Sequence, residues 1–379
     1  MAGHIRKRYT QKGASWQIVL DKGINSNGKR IREYITVNGT KRQAQDELAK
    51  RISEYNNGSY IAPSKMTVQM LIAQWMTVYA MPQLAPSTVR GYQVNFYKHT
   101  IPYLGHILVQ RLSSVEIQNM YSKLEEMGLS PRSIRYVHTT LREVLQYAYK
   151  MRIIAVNPAD FVSAPKQGKY KAEVYNTDEV VKLLSCAKGT DMEFPLMLGL
   201  ETGVRRGELL ALKWSDINWG TRTLTVERNL VCINGEYKFG SPKTKSGNRK
   251  LLLSESLIEK LRQHRVLQTE IRLQLGATYQ NNDLICCKTN GAPYNTGTFS
   301  HKFSNLLKKH GLKHIRLHDI RHTNATLMLE DGIPAKIASE RLGHSGIAIT
   351  LDTYSHVSPK MQKDAVEKLS GEIFLPEAE

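Results

Sequence analysis

Apolar residues change their spacing three times along this chain, and those changes limit its fold more than any single motif does. At "SWQIVLD" and "REYITV" polar and apolar positions alternate, the period of half-buried strands, on either side of the turn-rich "GINSNGK". From Thr40 the period is helical. "TKRQAQDELAKRISEYNNG" opens with a capping box from Thr40 to Gln43, repeats apolar residues at Ala44, Leu48, Ile52 and Tyr55, and stops at Asn57-Gly58. A small sheet with one helix packed on it is expected for residues 1–60.

The helical period then holds for about a hundred residues. "TVQMLIAQWMTVYA", "PSTVRGYQVNFYKHTI", "SSVEIQNMYSKLEEMG" and "SPRSIRYVHTTLREVLQYAYK" each place apolar residues three and four apart, the pattern of a helical bundle over 65–160. "NPADFVSAPKQGKYKAEVY" has little periodicity and reads as a linker, 161–176. Beyond it, in 177–379, the helical stretches "TDEVVKLLSCAK", "MEFPLMLGLE" and "RRGELLALKW" precede strand-like "RTLTVER", "LVCING" and "RKLLLS", and more helices follow. The expected fold is multidomain and mainly α: a small α+β unit, a helical bundle, and a mostly helical domain with a small inserted antiparallel sheet.

Length supports that division, since 379 residues exceed what a single core usually organises. Charge points to the partner. The chain carries 53 Lys+Arg against 34 Asp+Glu, a net +19, and residues 1–65 are the most basic stretch, with 13 against 5. Such an excess fits a polyanion, nucleic acid first. Cys186, Cys232, Cys286 and Cys287 are too sparse for a disulfide framework and lack CxxC spacing, which fits a reducing cytoplasm. With no run of 18 apolar residues and no signal-type apolar segment after "MAGHIRKRYT", neither secretion nor a membrane span is expected.

Candidate chemistry begins at "ETGVRRGELLALKW", where Arg205 and Arg206 stand at a helix start, a place that favours anions, and Glu208 can pin Arg205 from three residues on. Taken alone the stretch reads as a capped surface helix with a solvated arginine pair. "GSPKTKSGNRKLLL" taken alone is a solvated hairpin tip, and it lacks the order of a phosphate-binding P-loop. In "HIRLHDIRHTNA", His314, His318 and His322 recur every four residues, which admits a zinc site; His318 and Arg321, three apart, would share a helix face, leaving His322 for packing.

Read together, Arg205, Lys245, His318-x-x-Arg321, His344 and Tyr354 follow one another in an order that resembles the tyrosine recombinase (phage integrase) family. The matching boxes are "TGVRRGEL", "KTKSG", "LHDIRHTNAT", "LGH" and "TYSHV", over roughly 177–360. Lys243 and Lys250 compete with Lys245, and Arg206 with Arg205; Tyr294 in "GAPYNTG" rivals Tyr354 but precedes the His-x-x-Arg box. The resemblance implies an arm-type DNA-binding domain of three strands and a helix at 1–60, a core-binding bundle at 65–160 and a catalytic domain at 177–379.

It also implies a chemistry. Tyrosine oxygen attacks a phosphodiester, leaving a 3′-phosphotyrosine and a free 5′-hydroxyl, with no metal or ATP and no cofactor. A phenol is only roughly 0.1% ionised at pH 7, so His318 would serve as base or orient one. Arg205 and Arg321 would hold the phosphate oxygens, Lys245 would protonate the leaving oxygen, His344 would donate to the phosphate, and Glu208 would brace Arg205 from behind. The implied partners are double-stranded DNA at core and arm sites, further copies of the chain as a dimer or tetramer on DNA, and an accessory excision or DNA-bending factor. A tail helix after Tyr354, anchored by Ile373, Phe374 and Leu375, is expected to dock on a neighbour. The rival functions are type IB topoisomerase-like relaxation and a non-catalytic architectural DNA-binding protein.

Overall fold

The computed structural model describes residues 2–10, 13–24, 28–57, 60–166, 168, 173–233, 235–241, 245–354, 366–367 and 369–370. For a few of these, Lys245 and Tyr354 among them, only the backbone is described, and Lys243 and the tail anchors Ile373, Phe374 and Leu375 lie outside the described residues. The chain divides into two compact units, Met1–Gly168 and Lys169–Glu379.

The first unit opens with an antiparallel sheet in the order β1 (Ala2–Thr10), β2 (Gly13–Ile24), β3 (Arg30–Val37). Ile5, Ile18 and Ile35 are in register, so they share a face. Helix α1 (Lys41–Asn56) covers that side of the sheet: a Cβ on Gly3 would lie 2.7 Å from Leu48, and Ala44 is fully buried. The Thr40–Gln43 capping box starts α1 as the sequence indicates. On the other face Arg6 donates to Gln17 Oε1 from Nε and Nη2 (2.9 and 2.7 Å) and lies over the Tyr34 ring. Strand β1 escaped the alternation argument, because His4, Arg6, Lys7 and Arg8 make it read as a basic tail; only the family resemblance called for a third strand.

The bundle follows with α2 (Val68–Trp75), α3 (Pro86–Val94), α4 (Ser114–Glu126) and α5 (Pro131–Lys150). Helices α2 and α3 run on through wider π-type turns, Met76–Ala80 and Asn95–Thr100. Trp75 centres the packing, stacked against Tyr79 and Tyr92 and edge-on to Phe96. Ser113 and Glu116 form the capping box of α4, and Ser130 caps α5 ahead of Pro131. The Gln110 side chain ties the approach to the bundle, accepting from the Ser64 amide and donating to the Ala62 and Ile153 carbonyls.

In the second unit α6 (Thr177–Ala187) and α7 (Glu193–Thr202) lead to α8 (Arg206–Leu209), a single turn. The expected helix over "RRGELLALKW" is therefore cut short. Leu209, Leu210, Ala211 and Leu212 are all buried, and a run buried on every side carries no helical period to read. The expected single sheet is two: β4 (Ile217–Asn218), β5 (Thr223–Val226) and β8 (Arg249–Leu252) pair antiparallel in the order β4-β5-β8, while β6 (Asn229–Ile233) and β7 (Glu236–Gly240) form a separate hairpin. Helices α9 (Glu255–Leu275), α10 (Thr296–Lys309), α11 (Asp319–Glu330), α12 (Ala335–Leu342) and α13 (Ile347–Tyr354) complete the unit. Leu198, Leu210, Leu224, Leu261, Phe299 and Phe303 anchor its core, and Ala325, Met328, Ala338 and Leu342 join α11 to α12. Among the described residues no helix is long and apolar enough to cross a membrane.

The bundle core carries a direct test. Leu145 on α5 is fully buried and Val115 on α4 is 64% exposed. Leu145→Ala should cost about 2–5 kcal/mol in urea unfolding followed by circular dichroism, and Val115→Ala should stay within about 0.5 kcal/mol of the parent.

Candidate active site

Helix α8 is short, yet it sets the site. Arg205 occupies its N-cap and Glu208 its third position, so the carboxylate reaches back to both the Arg205 amide (3.0 Å) and Nη1 (2.8 Å). The Arg205–Glu208 pairing expected from the spacing is present. A third donor was not legible: Arg249 Nη2, from β8, reaches the same carboxylate at 3.1 Å. Glu208 is 2% exposed. Burial opposes its ionisation, but the charge of Arg249 and the hydrogen bonds of Arg205 outweigh that and hold the carboxyl below its ordinary range.

Both candidate arginines are anchored on glycine carbonyls. Arg205 Nη2 donates to Gly343 O at 3.0 Å, and Arg321 Nη1 donates to Gly203 O at 2.8 Å. Gly203 and Gly343 end α7 and α12 in the left-handed conformation, φ +63° and +70°. A Cβ at Gly203 would lie 2.5 Å from Asn324 Oδ1, and one at Gly343 would lie 2.7 Å from the Ser246 carbonyl oxygen. Each guanidinium therefore sits where a helix C-terminus favours a cation. Arg321 is nearly buried, 3% exposed, whereas the Arg205 side chain keeps 36% exposure. Arg206 turns away to Ser300 Oγ (2.7 Å), which separates it from Arg205.

His318 stands at the N-cap of α11 in a helical backbone conformation, three residues before Arg321, and the helix begins at Asp319, whose buried carboxylate is gripped by the Arg316 amide and guanidinium. The His318 and His322 rings meet edge to face at 5.2 Å. Burial, then His322 and Arg321, lower the His318 pKa to about 4, although part of the residue still faces solvent. His344 follows Gly343 directly, and its Nδ1 lies 2.7 Å from Thr350 Oγ1 on α13. Burial, then Arg321 and Arg205, lower its pKa to about 4 as well. Arg205 is thus bonded to the residue that precedes His344, and the charge of Arg321 is felt at both histidines.

The remaining candidates are fixed by backbone alone. Lys245 begins the turn Lys245–Gly247 that enters β8, and Tyr354 ends α13, one helical turn after Thr350. Lys250 is exposed on β8. Tyr294 is core: 3% exposed, packed on Phe299, and donating to Asp191 at 3.2 Å, with burial pushing its pKa up. His314 is exposed ahead of α11, and among the described residues no group of three or more His, Cys, Asp or Glu side chains is arranged to hold a metal ion. Besides Arg249, the sequence reading missed Thr350 and the two anchoring glycines. Neither the stops made by the glycines after "LET" and "ERL" nor their carbonyl partners were read from the sequence.

A model described as the phage integrase family matches residues 173–361, and one for the phage integrase N-terminal SAM-like domain matches 67–125. The tyrosine recombinase XerC-like protein of Caldanaerobacter subterraneus subsp. tengcongensis is 29% identical over 387 residues, covering 96% of this chain and 98% of the relative. The ICEBs1 integrase of Bacillus subtilis is 27% identical over 361 residues, 94% of this chain and 97% of the relative. Among solved structures, the Tn1549 transposon integrase in complex with transposon right end DNA aligns with a TM-score of 0.68 at 22% identity, over 80% of this chain and 100% of that one. A lambda integrase dimer bound to a COC′ core site aligns with a TM-score of 0.60 at 20% identity, over 93% of this chain and 95% of that one. Both structures share this fold.

The depressed histidines set a pH dependence. Each binds its proton less readily here than at the ordinary 6.5, so between pH 6.5 and about 4 the unfolded chain holds more protons than the folded one. Their contribution to stability is complete above pH 6.5 and is lost as pH falls through 4. The melting temperature should drop over that window, and His344→Asn should flatten the drop; an unchanged slope contradicts the assigned environment.

Proposed function

The chain belongs to the phage integrase family of tyrosine recombinases, and from that premise we propose that Arg205, Lys245, His318, Arg321, His344 and Tyr354, braced by Glu208, form the active site of its strand cleavage and rejoining. The observation that carries this reading is the convergence of two separately anchored guanidiniums on one histidine, with Tyr354 one turn beyond the threonine that holds that histidine.

In the proposed step the Tyr354 oxygen forms a bond to phosphorus while the bond from phosphorus to the 5′-oxygen breaks. The departing oxygen takes a proton from Lys245, and the phenol proton passes to His318, which is neutral at pH 7 and open to a proton. Arg205 and Arg321 supply charge-assisted donors to the non-bridging oxygens, where negative charge grows. His344 stays neutral; in the tautomer in which Thr350 donates to Nδ1, its proton sits on Nε2 and is available to the phosphate. The phosphotyrosine keeps the energy of the broken bond, and attack by a new 5′-hydroxyl reverses the step on a second strand.

The domain roles belong to the same proposal: residues 1–60 for arm-type DNA, 65–160 for the core site, 161–176 as linker and 177–379 for catalysis. The basic sheet face around Arg6 and the excess charge of residues 1–65 support the first of these. Double-stranded DNA is the proposed partner, with self-association into a dimer or tetramer on it, and action in the cytoplasm on nucleoid DNA; the lambda relative dimerises on a core site. An accessory excision or DNA-bending factor completes the proposed set of partners.

Three results test the reading. On a nicked core site that releases a short 5′-hydroxyl fragment, the parent should become covalently attached to the 3′ end, while Tyr354→Phe should bind DNA and form no adduct. Arg205→Ala or Arg321→Ala should cost roughly 2–4 kcal/mol of transition-state stabilisation in single-turnover cleavage, with far smaller losses in DNA affinity; equal losses assign these arginines to docking. A chain beginning at Ser64 should keep cleavage at the core site but lose salt-dependent binding of arm-type DNA.

A further inference from the structure

We infer that Arg249, which no motif of the sequence singles out, is the positioning residue that fixes Lys245, Arg205 and His344 relative to one another. The inference rests on the proposed role of Lys245 as proton donor to the leaving oxygen.

Its side chain is 7% exposed and its donors are divided among three segments. Nη2 reaches the Glu208 carboxylate that holds Arg205 (3.1 Å). Nη1 donates to Gly247 O, at the end of the turn that starts with Lys245 (3.0 Å). Nε donates to Arg341 O, two residues before the glycine that precedes His344 (2.7 Å). Each segment carries one candidate catalytic residue, so one planar guanidinium sets three spacings at once. The backbone beneath it is fixed, because Arg249 pairs with Val226 in the β5–β8 ladder and Val226 and Leu251 are buried.

The packing at Gly343 points the same way. A Cβ there would meet the Ser246 carbonyl oxygen at 2.7 Å and Arg249 Nη1 at 2.9 Å, so the lysine turn and Arg249 leave room only for glycine at the residue whose carbonyl anchors Arg205. A lysine at 249 would keep a positive charge beside Glu208 but has no rigid fork with which to hold three acceptors in different directions. Burying this guanidinium costs desolvation, which lowers its pKa, and the Glu208 carboxylate offsets part of that cost.

The test compares cleavage of ordinary DNA with cleavage of DNA whose scissile 5′-oxygen is replaced by sulfur. In the second substrate the phosphorus–sulfur bond breaks and the sulfur leaves as a thiolate, so no proton is needed. Lys245→Ala should be slow on the first substrate and largely restored on the second. Arg249→Lys should lose roughly 10- to 100-fold on ordinary DNA, as for a catalytic group displaced by about an ångström, and sulfur should return a substantial part of that loss. Its DNA affinity should match the parent. Arg249→Ala should show the same pattern with a larger unrestored part, because Arg205 then shares in the displacement. Equal losses on the two substrates, or cleavage by Arg249→Lys within threefold of the parent, overturn the inference. If neither variant folds, Arg249 is a brace of the fold and the assignment falls too. A Lys245→Ala enzyme that sulfur does not restore overturns the proton-donor reading and this inference with it; a restored Lys245→Ala beside an unrestored Arg249→Lys overturns this inference alone.

Discussion

The second unit of the chain is organised around one buried carboxylate shared by two guanidiniums. Glu208 accepts from Arg205 three residues away and from Arg249 forty-one residues away, with 2% of its side chain exposed. Such a group is costly to bury alone, and several kcal/mol of desolvation are recovered only while both partners stay in place. The demand it makes is therefore geometric. A short helix, a sheet strand and the end of a second helix must meet within hydrogen-bond reach, and that meeting brings a turn carrying Lys245 and a loop carrying His344 close to Arg205.

Charge at the site follows from this frame. Arg205 and Arg321 hang from carbonyls at two helix C-termini, where the backbone dipole supports a cation, so neither depends on substrate for its position. Burial, together with the charge of Arg321 at both and of Arg205 at His344, lowers the pKa of His318 and His344 to about 4. In the proposed reaction a site built this way would present permanent positive charge to the phosphate and neutral imidazoles to the protons that move. The division suits a reaction in which negative charge grows on oxygen while a phenol is deprotonated.

Much of this was legible in the sequence, for reasons that differ by residue. The Arg205–Glu208 pair follows from a three-residue spacing at a helix start, and the capping boxes at Thr40 and Ser113 follow from local hydrogen-bond chemistry. Arg249 was not legible, since its partners lie on other segments and nothing in "GNRKLLL" distinguishes a buried arginine from a solvated one. The one-turn length of the helix after Arg205 was hidden by the wholly buried run from Leu209 to Leu212, and the first strand was hidden by its basic residues. The π-type turns after Trp75 and Val94 left no mark in the apolar spacing, because the inward-facing residues continue through them.

The most direct test of the account is to trap the covalent complex on nicked core-site DNA in EDTA, digest it, and locate the attached nucleotide by mass spectrometry. The account predicts a single modified peptide, with the nucleotide on Tyr354 through a phosphodiester to its phenolic oxygen. A nucleotide on Tyr294 or on a serine, or an adduct that forms only when a divalent metal is added back, would contradict it.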